Sequence, residues 1–156
     1  MINTISQVLS MVKDPKPNLI TVDLTATIEE VSDVLAKEDV NLVVVTAKGK
    51  HVGIISTKDT SRESGSGKRP SERYAFEIMT SRKDVITTSP NGNLSLVSQA
   101  MTEGEKEIRH IIVADEFGEW IAVLSIKDIL RAMRLNEQER EEIQEMYAKS
   151  GWPPVS

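Results

Sequence analysis

The sequence contains no cysteine, and this absence excludes several kinds of chemistry. Without thiols the chain can form no disulfide bond, use no thiolate nucleophile and hold no zinc ion through sulfur. It also lacks an apolar run near the roughly 20 residues that a membrane-spanning helix needs. The N-terminus shows no basic segment followed by an apolar core, as a signal peptide would. We therefore expect a cytoplasmic protein that has no membrane partner.

The charge and the motif content narrow the function further. The chain has 156 residues and a net charge of −5, with 39% hydrophobic and 28% charged residues, which is an ordinary balance for a globular protein. A chain with net negative charge is not attracted electrostatically to the phosphates of a nucleic acid, so we expect no nucleic-acid partner. Walker-type loops, metal-ligand spacings and nucleophile–base sets are absent. We therefore expect no catalytic residue, no metal and no required cofactor.

Two short stretches, 53–59 and 122–128, share a pattern in which an apolar run ends in serine and an aspartate follows three residues later. The apolar runs are typical of buried strands, and the residues after them favour helices. Each serine is therefore a predicted N-cap, and each aspartate takes the third helical position of a capping box. The pairs are Ser56 with Asp59 and Ser125 with Asp128.

A strand-to-helix corner of this kind can bind a ligand or only stabilise its helix. The first amides of a helix lack intrahelical partners and can hold an anion. An aspartate carboxylate can accept the two neighbouring hydroxyls of a ribose. The alternative is that each motif is only a capping box. One copy would usually be a cap, but two copies at a fixed spacing favour a repeated site.

The sequence around the first corner predicts a β-α-β-β-α unit. Strands are expected where β-branched residues cluster, at 19–22, 42–46 and 51–56. Thr27 and the apolar residues that follow it at helical spacing predict an amphipathic helix over 28–38. A short helix is expected at 5–11, and Pro15 and Pro17 would end it.

The same order of elements returns in the second half, with a first strand at 85–87 and a helix capped by Asn93. Corresponding positions are 66 residues apart through the helix and 69 apart afterwards, so three residues are inserted near Thr102 to Glu107. Gly, Ser and Pro between the copies predict a linker with solvated charges. The predicted organisation is repeat 1 at 3–62, a linker at 63–73, repeat 2 at 74–134, and a C-terminal helix and tail at 135–156.

These motifs resemble a tandem pair of CBS domains, the module named after cystathionine β-synthase. The resemblance covers about residues 3–134 and is strongest at the two Ser-x-x-Asp corners. It implies an α/β (α+β) fold in which two repeats pack around a pseudo-twofold axis, with a C-terminal helix added. It also implies a stand-alone regulatory protein, a homodimer through its CBS pairs. Such a protein would bind an adenosine compound in the cleft between the repeats and signal to a protein partner.

The resemblance also assigns candidate ligand-binding residues by position. The aspartates would hold ribose hydroxyls, the serines would contact ribose or phosphate, and a glycine would allow close approach to the backbone. Isoleucines of the first strands would line the base, and a basic pair before the second strand of repeat 2 would reach phosphate. These residues are Asp59, Asp128, Ser56, Ser125, Gly53, Ile20, Ile86, Arg109 and His110.

Differences between the two copies favour one site over the other. Repeat 1 lacks the basic pair, and repeat 2 has Ala122 in place of the glycine. We expect the better site on Ser56 and Asp59, with Arg109 and His110 supplying phosphate contacts, and a weaker or empty site at the second corner. The expected ligands are AMP, ADP or ATP, in preference to NAD or S-adenosylmethionine. The alternative is a structural or dimerisation module that binds no nucleotide.

Beyond the repeats, Asn136 and Glu139 predict the start of a separate helix over 137–149, which Gly151 would end. Its apolar stripe would pack either on its own domain or on a second subunit, and consists of Ile143, Met146 and Tyr147. Trp120, in the second hairpin, is expected either in the core or at an interface.

Overall fold

A computed structural model describes residues 1–12, 19–64, 67–104 and 108–151. The predicted positions of Pro15 and Pro17, part of the three-residue insertion and the tail after Gly151 lie outside the described residues. Within them the fold is mixed α/β, as predicted, with six α-helices and two 3₁₀ turns at Pro70–Glu72 and Arg82–Asp84. The elements in chain order are α1 (Ile5–Met11), β1 (Thr21–Asp23), α2 (Ile28–Lys37), β2 (Leu42–Ala47), β3 (Lys50–Ser56), α3 (Thr57–Ser64), α4 (Ala75–Ile78), β4 (Thr80–Ser81), β5 (Thr87–Thr88), α5 (Leu94–Thr102), β6 (His110–Ala114), β7 (Trp120–Ser125) and α6 (Ile126–Ser150).

Two small sheets organise these elements. One has the order β1-β2-β3-β4 and the other β5-β6-β7. In the first, β1 is parallel to β2, whereas β2, β3 and β4 are antiparallel neighbours. The β2–β3 turn places Lys48 and Gly49 at φ 51° and 78°, a left-handed conformation that a tight hairpin requires. None of the helices in the described residues has the length and apolar character needed to cross a bilayer.

The chain divides into two compact units, each built from segments that are separated in the sequence. The α6 unit comprises the described parts of 1–15, 88–117 and 123–156, and the β1 unit comprises those of 16–87 and 118–122. In the α6 unit, the amide of Ile5 donates to the carbonyl of Gly92 at 3.0 Å. In the β1 unit, the amide of Ala75 donates to the carbonyl of Ala26 at 2.8 Å. The short helices α1 and α4 are thus exchanged between the two halves, whereas the boundaries drawn from the repeats remain a prediction.

Local sequence signals explain how the β1 unit forms its core. Thr27 caps α2 through a hydrogen bond from the Glu30 amide at 3.1 Å, and the Glu30 carboxylate reaches back to Thr27, which confirms the predicted capping box. Apolar residues three and four positions apart then face the sheet. The buried cluster consists of Val22, Val31, Leu35, Val43, Val45, Ile55 and Ala75.

Trp120 is buried, which decides between the two predicted locations in favour of the core. Its exposed fraction is 5%, and its ring lies 5.7 Å from the ring of His51 within the β1 unit. The Arg82 guanidinium lies 4.8 Å from the Trp120 ring centroid, a cation–π contact. Arg82 also donates to the carbonyls of His51 and Gly118 at 2.8 and 2.7 Å, which ties two hairpin turns together.

Two predictions for the middle of the chain are wrong. The predicted strand at 85–87 starts only at Thr87, because a 3₁₀ turn over Arg82–Asp84 ends with the Val85 amide bonded to the carbonyl of Arg82. The linker charge of Arg73 is not solvated, since its side chain is 16% exposed and forms an ion pair with Glu63. Helix α3 also continues into the predicted linker.

The separate C-terminal helix expected from Asn136 is instead the second half of α6, which runs unbroken over 25 residues. Asn136 does not cap a helix. Its side-chain amide exchanges two hydrogen bonds, both 2.7 Å, with the backbone of Ile2, so its capping groups serve a distant partner. Gly151 ends α6 in a left-handed conformation at φ 73°, as predicted.

Candidate ligand-binding corners

The corner at the end of β3 is closed by reciprocal hydrogen bonds. The amide and the hydroxyl of Ser56 donate to Asp59 Oδ2 at 2.9 and 3.0 Å, and the Asp59 amide donates to Ser56 Oγ at 3.3 Å. The Thr57 amide donates to the carbonyl of Asn41 at 3.0 Å. The capping box predicted from the spacing is confirmed.

The corner at the end of β7 repeats this geometry. The amide and the hydroxyl of Ser125 donate to Asp128 Oδ2 at 2.9 and 3.0 Å, and the Asp128 amide donates to Ser125 Oγ at 3.3 Å. The Ile126 amide donates to the carbonyl of Arg109 at 2.8 Å. The predicted repetition of the motif therefore holds at the level of individual hydrogen bonds.

The caps leave half of each carboxylate available. Both bonds from serine go to Oδ2, and within the described part of the chain the Oδ1 atoms of Asp59 and Asp128 accept no hydrogen bond. An ionised carboxylate offers about four lone-pair positions, so Oδ1 can accept a hydroxyl while Oδ2 keeps the cap. Both aspartates are half-buried. Capping and ligand binding are thus compatible functions of the same side chain.

The helix starts offer less to an anion than the sequence suggested. At the first corner the amides of Ser56, Thr57 and Asp59 all have partners. This leaves the Lys58 amide as the one unengaged donor of that turn among the described residues. A single amide holds a phosphate weakly compared with several convergent donors. Side chains must therefore supply most of any phosphate contact.

The basic pair lies beside the second corner. His110 is the first residue of β6 and Arg109 immediately precedes it, both in the α6 unit, and the carbonyl of Arg109 accepts the first amide of α6. Burial lowers the pKa of His110 below 6.5, the Arg109 charge lowers it further, and the Asp128 carboxylate opposes both. The α6 unit thus brings together a permanent cation, a titratable imidazole and a capped carboxylate. The corner predicted to be weaker has the basic pair as its direct neighbour, and the predicted action of that pair at Asp59 stays a prediction.

Gly53 has a packing role that its sequence position did not reveal. A Cβ atom there would lie 2.6 Å from the Thr80 carbonyl oxygen and 2.7 Å from Met79 Sδ. Strand β4 pairs directly with this part of β3, with Gly53 opposite Ser81. The close approach that the glycine permits is therefore that of a neighbouring strand, and its predicted contact with a ligand stays a prediction.

The two candidate base-lining isoleucines differ in their surroundings. Ile20 packs against the core cluster of the β1 unit and its carbonyl accepts the Val44 amide at 2.9 Å. Because Leu42 lies opposite Ser56 in the hairpin, this register places Ile20 near the end of the sheet that carries the first corner. Ile86 is 44% exposed and belongs to the β1 unit rather than to the unit of Asp128.

Sequence reasoning missed the backbone acceptors that close the corners. The carbonyls of Asn41 and Arg109 each take a helix amide, and no side-chain pattern marks a backbone oxygen for this task. A metal centre finds no support in the described residues, where no cluster of three or more histidine and carboxylate side chains has suitable geometry.

A tandem fold with two capped strand-to-helix corners defines the class of protein. The CBS domain family matches the sequence twice, at residues 6–64 and 75–135. The chain therefore belongs to the CBS domain family and carries two of these domains in tandem. Pairs of CBS domains are generally regulatory rather than catalytic modules.

Known proteins similar to the chain include two solved CBS structures. The CBS domain protein PAE2072 from Pyrobaculum aerophilum, complexed with AMP, is 29% identical with a TM-score of 0.66, over 80% of this chain and 88% of that one. The CBS domain pair of protein MJ0100, in complex with 5′-methylthioadenosine and S-adenosyl-L-methionine, is 25% identical with a TM-score of 0.63, over 75% and 92%. The uncharacterized protein MJ0188 from Methanocaldococcus jannaschii is 26% identical over 136 residues, 86% of this chain. The chain spans about half the length of that relative, 48%.

Proposed function

We propose that this chain is a regulatory module that binds an adenine nucleotide at its Ser-x-x-Asp corners and signals to a protein partner. The observation that carries the proposal is the unengaged Oδ1 atom of Asp59 and of Asp128, which can accept ribose hydroxyls without loss of the cap. The similar proteins PAE2072 and MJ0100, which were solved with adenosine compounds, support this ligand class.

The basic pair supports a phosphorylated ligand. Arg109 carries a permanent charge whose planar donors match phosphate oxygens, and His110 becomes a second cation when it is protonated. We therefore place AMP, ADP and ATP before NAD, and before S-adenosylmethionine, whose sulfonium is positive. Because the pair lies beside Asp128, we propose that a phosphorylated nucleotide also binds at this corner. We keep Asp59 as a second ribose site, because its Oδ1 atom offers the same acceptor.

Regulation requires that the nucleotide bind one conformation more tightly than another. A homodimer formed through the CBS pairs belongs to the proposal, because a shape change in one copy can then alter a surface shared with the next. The alternative is a structural or dimerisation module without nucleotide. It is favoured by the fact that Oδ2 alone completes each cap.

Thermal unfolding with a panel of AMP, ADP, ATP, NADH and S-adenosylmethionine tests the proposal. A ligand at 100 times its Kd adds about 2.7 kcal/mol to the free energy of unfolding. For a chain of this size that corresponds to a rise in Tm of about 5–10 °C. Asp59→Asn and Asp128→Asn are the informative variants, since asparagine can still accept the serine bonds but lacks the charge and the second carboxylate oxygen.

A matched control separates ligand binding from capping. Glu30→Gln makes the same chemical change in the capping box of α2, which belongs to neither corner motif, and should leave the ligand-dependent shift unchanged. Loss of the shift in one aspartate variant identifies the occupied corner. If no nucleotide shifts the wild type, the module is structural and the nucleotide proposal is wrong.

A further inference from the structure

The solvent-facing side of α6 carries its charges in two blocks. Side chains three and four residues apart share a helix face, and along this face the first half is basic and the second half acidic. The residues, all exposed, are Lys127, Arg131, Arg134, Gln138, Glu141, Glu142 and Glu145. Three positive charges therefore precede Gln138 and three negative charges follow it, before Lys149 adds one positive charge at the end of the face. We call this surface the α6 charged face.

The charges on this face have few partners within the chain. Across the described residues the ion pairs leave out both arginines and the lysine of the basic block, and Glu141 and Glu142 of the acidic block. Glu145 contacts Lys149 at 3.5 Å, and both side chains are largely in solvent. Like charges at these spacings repel each other in an isolated helix. The free chain thus gains no stability from this segregation.

Apolar side chains flank the α6 charged face and are also uncovered. Leu130, Leu135 and Met146 are 45%, 39% and 61% exposed. Leu130 and Leu135 lie among the basic side chains along the first half of the face, on a surface open to solvent that α6 alone forms. Covering such side chains removes apolar area from water, which favours association.

We propose that the α6 charged face pairs in antiparallel orientation with the same face of a second copy of this chain, about a twofold axis near Gln138. In such a contact each residue meets the partner residue that lies equally far on the other side of the axis. Arg134 and Glu142 are each four residues from Gln138, and Arg131 and Glu145 are each seven. The basic block of each copy therefore lies along the acidic block of the other.

Charge selects this orientation among the ways in which two helices can associate. A parallel pair would set basic block against basic block and acidic against acidic, which like-charge repulsion disfavours. The antiparallel pair leaves one unfavourable contact, because Lys127 and Lys149 are each eleven residues from Gln138. Lys149→Glu should therefore tighten the dimer. The inference rests on the homodimer in the proposed function and is independent of the nucleotide.

Charge reversal tests the pairing by analytical ultracentrifugation of the full chain. Each block is reversed by a double substitution, Arg131→Glu with Arg134→Glu, or Glu142→Arg with Glu145→Arg. Either one places like charges opposite each other and should raise the dimer Kd by about 100-fold. All four substitutions together exchange the blocks and should restore the dimer. A fourfold variant that stays monomeric overturns the antiparallel arrangement.

Because the chain has no cysteine, one introduced thiol reports the position of the axis. Gln138→Cys should form a disulfide between copies, since only residues near the axis meet themselves. The matched variant Gln144→Cys lies on another side of α6 and should not. A monomeric wild type overturns both this inference and the proposed homodimer. A dimer that survives both reversals, or that crosslinks equally at the two cysteines, overturns the pairing and leaves the homodimer standing.

Discussion

Replacing Gly53 with alanine tests whether this glycine serves the fold or a ligand. The added methyl would lie 2.6 Å from the Thr80 carbonyl oxygen, 2.7 Å from Met79 Sδ and 3.1 Å from its Cγ. The Met79 side chain can turn away, but the carbonyl belongs to β4, which is hydrogen-bonded to β3. Overpacking of this kind costs about 1–3 kcal/mol. The lower entropy of the unfolded alanine chain offsets about 0.4–1 kcal/mol, so we expect a net loss of about 1–2 kcal/mol.

Urea unfolding of Gly53→Ala, with and without nucleotide, measures this loss. The matched control is Ala122→Gly, which makes the opposite change at the equivalent position of the second copy. There the main effect is greater chain entropy, so a loss of about 1 kcal/mol or less is expected. If Gly53→Ala is as stable as the wild type but no longer binds nucleotide, the glycine serves the ligand and the packing explanation is wrong.

The remaining predictions concern stability. The pKa of His110 in the folded chain lies below the value of 6.5 in the unfolded chain, so between these two values the unfolded chain binds more protons. The free energy of unfolding should therefore fall as the pH drops through this window. Urea unfolding at pH 7.5 and 5.5 measures this pH dependence, which should be smaller in His110→Gln. Arg73→Met removes the ion pairs that the largely buried guanidinium forms with Glu63 and Glu77, and should cost about 1–3 kcal/mol. Arg140→Met, in an exposed pair, should cost less than about 1 kcal/mol by the same assay. Asn136→Ala removes two hydrogen bonds to the N-terminal backbone and should cost about 1–2 kcal/mol and speed amide exchange there; a normal exchange rate would refute that role.

The parts of the fold that depend on local spacing could be predicted from the sequence. The Ser-x-x-Asp corners and the Thr27 cap are closed by bonds between residues three apart, so the sequence pattern and the geometry carry the same information. The apolar faces of α2 and α5 were equally predictable, because helical periodicity alone selects the buried residues.

Features that depend on distant partners could not be predicted in this way. Asparagine is a common N-cap residue, yet the side-chain amide of Asn136 forms hydrogen bonds with the backbone of Ile2, which is remote in sequence. Arg73 follows a segment rich in Ser and Gly, yet it forms an ion pair with Glu63. At the site, the spacing identified the two aspartates but carried no information on which backbone carbonyls close each corner.

The exchange of α1 and α4 bears on how the chain is synthesised. Ile5 and Val8 of α1 become buried in a unit whose other members start at residue 88. A ribosome adds about 5–20 residues per second, so α1 emerges several seconds before its binding surface exists. The β1 unit is likewise incomplete until residues 118–122 have been made. Neither unit is therefore complete in the first half alone, and a chain arrested after residue 87 should expose α1 to protease, which the finished protein protects.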